Sequence, residues 1–152
     1  MERILKYINN YYAKTEELGT ITIKDNKIEL KGTYIPSQYI LVRGSILNDG
    51  IYKINTVSDN TIEVTGSVNE IFEGVVYALA IPKDIIEMQK ELDDLESKYE
   101  PSVYQSEHFG NYSYSLATNK QGEAMSPFDY VAPRLISYRK IYETSLEKSR
   151  RV

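Results

Sequence analysis

Few side chains in this sequence suit covalent or acid–base chemistry, and their spacing limits what they can do together. Cysteine is absent and His108 is the single histidine. Thiolate nucleophiles and disulfides are therefore excluded, and the common zinc sites lack their ligands. Glu107-His108 comes nearest to an acid–base pair, but a lone imidazole in a tyrosine-rich stretch has no nucleophile to activate. Asp93 and Asp94 are adjacent on a predicted helix and so point in different directions. Asp84, Glu87 and Glu91 share one face of that helix without a supporting His or Asn, as solvated carboxylates do. Gly44, Gly50, Gly66 and Gly74 stand singly at turns, and no glycine-rich loop runs into a helix with a following lysine. The expectation is no catalytic residue, no metal site and no cofactor.

The aromatic content points elsewhere. Fourteen tyrosines stand against three phenylalanines and no tryptophan. Tyrosine joins a large apolar face to a polar tip, which suits surfaces buried only on assembly. Charge is uneven too. From position 134 onward six basic residues face Glu143 and Glu147, a local +4 within a total of -4, so the body carries -8. A basic tail on an acidic body can meet nucleic acid or an acidic protein surface.

These groups must be positioned by elements that the periodicity reveals. With 41% hydrophobic and 26% charged residues, the chain reads as globular. No run approaches the ~20 apolar residues of a membrane span, and charges at Glu2, Arg3 and Lys6 break any signal-peptide core. A chain made and kept in a cytoplasm is expected. Ile4, Leu5, Ile8, Tyr11 and Tyr12 recur at helical spacing, predicting a helix over 2–14. From Thr20 the period becomes two. Strands are predicted at 20–24, 27–31, 39–42, 51–57, 61–65 and 75–81, with turns at Asp25-Asn26, Asn48-Asp49-Gly50 and Ser58-Asp59-Asn60. Together they predict a small antiparallel sheet or barrel over 18–81. Pro82 then opens a helix whose Ile85, Met88, Leu92, Leu95 and Tyr99 form an apolar stripe of coiled-coil type, ended by Pro101. Residues 102–121 read as an aromatic strand or loop. A last helix begins at Ser126-Pro127, with Asp129 near its positive end and Pro133 expected to kink it. Residues 144–152 lack an apolar face and are expected to order on a partner.

The run Ser106-Glu107-His108-Phe109-Gly110-Asn111-Tyr112-Ser113-Tyr114-Ser115-Leu116 resembles a segment of the head–tail connector proteins of tailed bacteriophages and prophages. The matching positions are Glu107, Gly110, Asn111, Tyr112, Ser113 and Tyr114. The ending Leu135-Ile136-Ser137-Tyr138-Arg139-Lys140 is similar as well, so the resemblance covers 82–140, with weaker support from 4–12. It implies an α+β chain with a helical connector core carrying an inserted β-module. Its parts would be an N-terminal helix (1–17), the insertion (18–81), the core with its aromatic loop (82–143) and a docking tail (144–152).

The resemblance further implies a homo-oligomeric ring, usually twelvefold, in the virion neck between capsid and tail. Its partners would be the portal protein above and a tail or stopper protein below, with DNA passing through unread. Phe109, Tyr112, Tyr114, Met88, Leu92 and Leu95 would then lie at subunit contacts. Tyr138, Arg139, Lys140, Tyr142, Lys148, Arg150 and Arg151 would dock to the portal. The simplest members of the family are nearly all helical, and the predicted sheet departs from them, which keeps a tail-completion or terminator protein in contention. A small β-barrel nucleic-acid-binding protein is the other alternative, although Lys24, Lys27, Lys31, Arg43 and Lys53 are outnumbered by nearby acidic residues.

Overall fold

The computed structural model describes residues 1–98, 106–109, 112–115 and 126–140. The chain divides into two compact units, Met1–Pro82 and Lys83–Val152.

The first unit opens with helix α1, Glu2–Ile8, which buries Ile4, Leu5 and Ile8 completely. It is shorter than its apolar spacing predicts. Asn9 takes the left-handed conformation (φ 50°, ψ 39°) and ends it, and Tyr12 also has positive φ. Asparagine tolerates that conformation better than most residues and so stops a helix cheaply. Extended structure then starts seven residues earlier than the alternation suggests, with β1 at Ala13–Lys24. The others are β2 Lys27–Glu29, β3 Tyr39–Arg43, β4 Gly50–Lys53, β5 Thr56–Ser58, β6 Thr61–Glu63 and β7 Glu70–Leu79.

All seven belong to one antiparallel sheet in the order β4-β3-β7-β1-β2-β6-β5. The long β1 and β7 form its spine, in register from Thr15–Ala78 to Ile23–Glu70. The β1–β2 hairpin turns through Asp25 and Asn26, both with positive φ (52° and 61°), as a two-residue primed turn requires. The run expected as one strand over 51–57 is split into β4 and β5. Between them Ile54 N–H donates to Gln38 O (2.9 Å) on the β3 side, while Asn55 N–H donates to Glu63 O (2.8 Å) on the β6 side. The two outermost strands are thus halves of one stretch of chain that changes partner at 54–55, and the sheet closes on itself. Alternate residues fill the interior: Ile21, Ile23, Ile28, Leu30, Tyr34, Ile40, Val42, Ile54, Ile62, Val64, Phe72, Val76 and Ala78 form one buried cluster. Gly44 and Gly74 meet back to back where β3 crosses β7. A Cβ on Gly74 would stand 2.3 Å from Arg43 O.

The second unit holds α2 (Lys83–Lys98), a two-stranded hairpin of β8 (Ser106–Phe109) and β9 (Tyr112–Ser115), and α3 (Pro127–Leu135). Helix α2 buries Ile85, Met88 and Leu92, and α3 buries Phe128, Val131 and Leu135. At the start of α3 the Ser126 N–H (2.7 Å) and hydroxyl (3.0 Å) both donate to Asp129 Oδ2, tying the first turn to its acidic residue. The helix passes through Pro133 and tightens into a 3₁₀ turn over Ile136–Tyr138.

The expected fold class is overturned. A helical core with an inserted sheet does not describe this chain, because the seven-stranded sheet is the largest element and α1 precedes it within the same unit. The physical reason lies in the stretch 13–19. Its strand residues are mostly exposed (Ala13, Lys14, Thr15, Glu16, Leu18), so no burial alternation marks them as strand. They pair because β7 offers a long edge, which only the tertiary fold reveals.

Candidate interaction surface

One polar network in the first unit fixes a group of exposed apolar side chains. The loop 45–49 follows β3, and the segment 67–69 leads into β7. Asn48 is 1% exposed and its amide is fully used: Oδ1 accepts from Val68 N–H (2.7 Å), and Nδ2 donates to Val68 O (2.9 Å) and to Glu70 Oε2 (2.8 Å). The Glu70 carboxylate also accepts from the Ser45 hydroxyl, Ile46 N–H (3.1 Å) and Leu47 N–H (3.4 Å). Tyr52 closes the network by donating its hydroxyl to Asn48 O (3.0 Å). The Ser45 hydroxyl, then the Asn48 amide and the two backbone N–H groups, hold the Glu70 carboxyl below its ordinary range against a smaller opposing effect of burial.

A loop held this way cannot fold its apolar side chains inward. Ile46 is 92% exposed, Ile71 71%, Leu47 58% and Val68 51%. Exposed large aliphatic side chains on a loop fixed by hydrogen bonds are candidates for a protein contact surface.

A second polar constellation lies in the second unit. Arg134 Nη2 donates to Glu91 Oε2 (2.7 Å) and the Tyr138 hydroxyl donates to Asp84 Oδ2 (3.0 Å), so two bonds join α2 to the end of α3. Glu87, Met88 and Ser137 line the shallow hollow between them. Both bonds are exposed, and exposed pairs of this sort add only ~0.2–1 kcal/mol each.

The residues singled out from sequence fall as follows. Met88 (8% exposed) and Leu92 (2%) already spend their apolar surface inside this chain, while Leu95 is half-buried. Phe109 lies in β8, and Tyr112 and Tyr114 in β9, where Phe109 pairs with Tyr112 and Glu107 with Tyr114. Tyr138 closes the 3₁₀ turn, with exposed Arg139 and Lys140 just beyond. Tyr142, Lys148, Arg150 and Arg151 lie outside the described residues, as does the tail 144–152. Asn48 and Glu70 were legible only as a turn residue and a surface acid. Their partners sit about twenty residues away, beyond any local pattern.

Among the described residues no group of three or more His, Cys, Asp or Glu is placed to hold a metal ion, and no helix is long and apolar enough to cross a membrane. No family model matches this chain, and neither a curated protein nor a solved structure matches it.

Proposed function

We propose that this chain is a non-catalytic structural subunit of a bacteriophage neck, working by contact with copies of itself and with the portal and tail proteins. The observation that carries the reading is the exposure of Ile46, Leu47 and Val68, whose backbone the Asn48–Glu70 network holds, with Ile71 exposed in the neighbouring β7. A chain that acts by contact needs such a surface, and desolvating these side chains on a partner supplies the driving force. The resemblance over 106–116 gives the neck as the place. The predominance of sheet favours the tail-completion or terminator position there over the nearly all-helical adaptors.

Light scattering of the purified chain, alone and mixed with a portal or tail-tube protein, tests this reading. Assembly is expected, and the double variant Ile46→Asp, Ile71→Asp is expected to abolish it without lowering the melting temperature. Removal of residues 144–152 is expected to abolish portal attachment while leaving the fold intact. A chain that stays monomeric with every neck protein offered refutes the proposal. Salt-dependent affinity of the free chain for DNA would favour a nucleic-acid-binding protein instead.

A further inference from the structure

Side chains alternate across a strand, so the residues of β1 and β7 that point away from the core share one outer face. Ile21 and Ile23 on β1, with Phe72, Val76 and Ala78 on β7, belong to the core. Leu18, Thr20 and Thr22 on β1, with Ile71, Glu73 and Val75 on β7, therefore face outward. Register sets them in rows: Leu18 beside Val75, Thr20 beside Glu73, and Thr22 beside Ile71. Lys24, one step further along β1, falls on the same face and is exposed. Leu18 is 73% exposed and Ile71 71%.

The charges on this face are placed evenly about Ile71. Glu73 lies in the row on one side of it, and its Oε1 accepts from the Thr20 hydroxyl. That bond draws the carboxylate across onto β1. Lys24 lies on β1 at the other side. Thr20 and Lys24 are each two residues from Thr22, about 7 Å along the strand. An anion and a cation at equal distances on either side of an apolar centre match the same arrangement turned through a half-circle. The face is thus complementary in charge to a copy of itself.

We propose that this face binds a second copy of the chain about a two-fold axis that crosses the strands at Thr22 and Ile71. The two sheets lie face to face about 10 Å apart, β1 over β1 and β7 over β7 in opposite directions. Ile71 meets its counterpart on the axis. Lys24 of each copy meets the Glu73 carboxylate of the other, so the charge pair forms twice. The outer surface of a closed sheet is convex, which confines the contact to these two strands. Lys27, Glu29 and Lys31 on the β2 side curve away from it. A two-fold contact closes at two copies and builds no ring by itself. It rests on the reading of Ile71 as a contact residue and supplies its occupant, without depending on the neck as the place.

Sedimentation equilibrium of the full chain tests this. A reversible dimer is expected at concentrations up to about 1 mM. Lys24→Glu and Glu73→Lys should each weaken it by about tenfold or more, since either change turns both attractive pairs into repulsive ones. Both side chains are exposed, so the fold is kept, and an unchanged melting temperature checks that. Mixed in equal amounts, the two variants should pair with each other to within about threefold of wild-type affinity. One then brings two anions to the contact and the other two cations. Ile71→Asp, on the axis, should abolish the dimer, and no mixture should restore it. A wild-type chain that is monomeric throughout this range, charge variants that dimerise as wild type does, or a mixture that stays apart overturns the proposal. If such a chain still assembles with a portal or tail-tube protein, the two-fold contact alone is refuted and the neck reading stands.

Discussion

Replacing Glu17 by alanine removes the one side chain that bridges β1 to the segment after β2. Its carboxylate accepts from Lys31 N–H, from Gly32 N–H at 3.1 Å and from the Tyr34 hydroxyl at 2.8 Å. Lys31 and Gly32 are exposed, so water replaces the lost acceptor and each bond contributes about 0.5 kcal/mol, the low end for a net hydrogen bond. Tyr34 is 8% exposed, and its orphaned hydroxyl costs ~1–2 kcal/mol. The sum is about 2–3 kcal/mol, a fall in melting temperature of roughly 10–20 °C for a unit of this size. Urea unfolding followed by tyrosine fluorescence measures it. Glu17→Gln keeps one acceptor and should lose about half as much.

The pH dependence separates the charge from the shape. Burial raises the Glu17 carboxyl, but the hydrogen bonds from Lys31, Tyr34 and Gly32 outweigh it and leave the group below its ordinary 4.5. A depressed folded-state pKa stabilises the fold above the ordinary value and loses that contribution as pH falls below 4.5. Wild type should therefore converge on Glu17→Gln in acid. Tyr34 behaves in the opposite sense: burial first, then the bond to Glu17, push its hydroxyl well above 10. Its contribution is complete below pH 10 and is lost as pH rises beyond that, and Tyr34→Phe should blunt the alkaline loss. A Glu17→Ala variant within about 0.5 kcal/mol of wild type, the range of an ordinary surface substitution, refutes this account of the bridge.

Two further perturbations address the rest of the first unit. Asn48→Ala removes a buried side chain and takes the partner from the half-buried Val68 N–H and O and from the Glu70 carboxylate, and should cost about 1–2 kcal/mol, while Asn48→Asp should cost more at neutral pH by setting a second carboxylate against Glu70 and recover part of the loss in acid. Gly74→Ala drives a methyl group against Arg43 O and the Phe72 ring and should cost about 1–3 kcal/mol or more by overpacking, seen as a lower urea midpoint at unchanged slope.

Period-two alternation makes β1 from Thr20 on, β2 and β6 legible, because each buries one face and wets the other, whereas β3 shows as a short continuous apolar run with Ile40, Leu41 and Val42 all buried. The same holds for the Asp25-Asn26 turn, where local chemistry alone sets the backbone. Helical spacing misleads at Tyr11 and Tyr12, since nothing local shows that Asn9 will turn left-handed. The length of β1 is invisible for a different reason: its first residues are held by a partner strand some sixty positions away, not by their own burial. The contact surface is hidden in the same way. Ile46 reads as one more apolar residue until Asn48 and Glu70 are seen to fix its loop outward. The closing corner at 54–55 is missed because a change of partner leaves no mark on hydrophobicity.

The spine of the sheet also sets how the chain must be made. Ile23 waits for Glu70 and Ala13 for Leu79, 47 and 66 residues later. At ribosomal rates of about 5–20 residues per second, β1 stays unmated for roughly 3–13 s while the small hairpins behind it close in microseconds. Lys14, Glu16 and Glu17 sit in that waiting strand, where charge keeps nascent chains from zipping to one another. Slower synthesis is therefore expected to lengthen the time this strand stays open to other chains, which a comparison of soluble yield at two expression temperatures would measure.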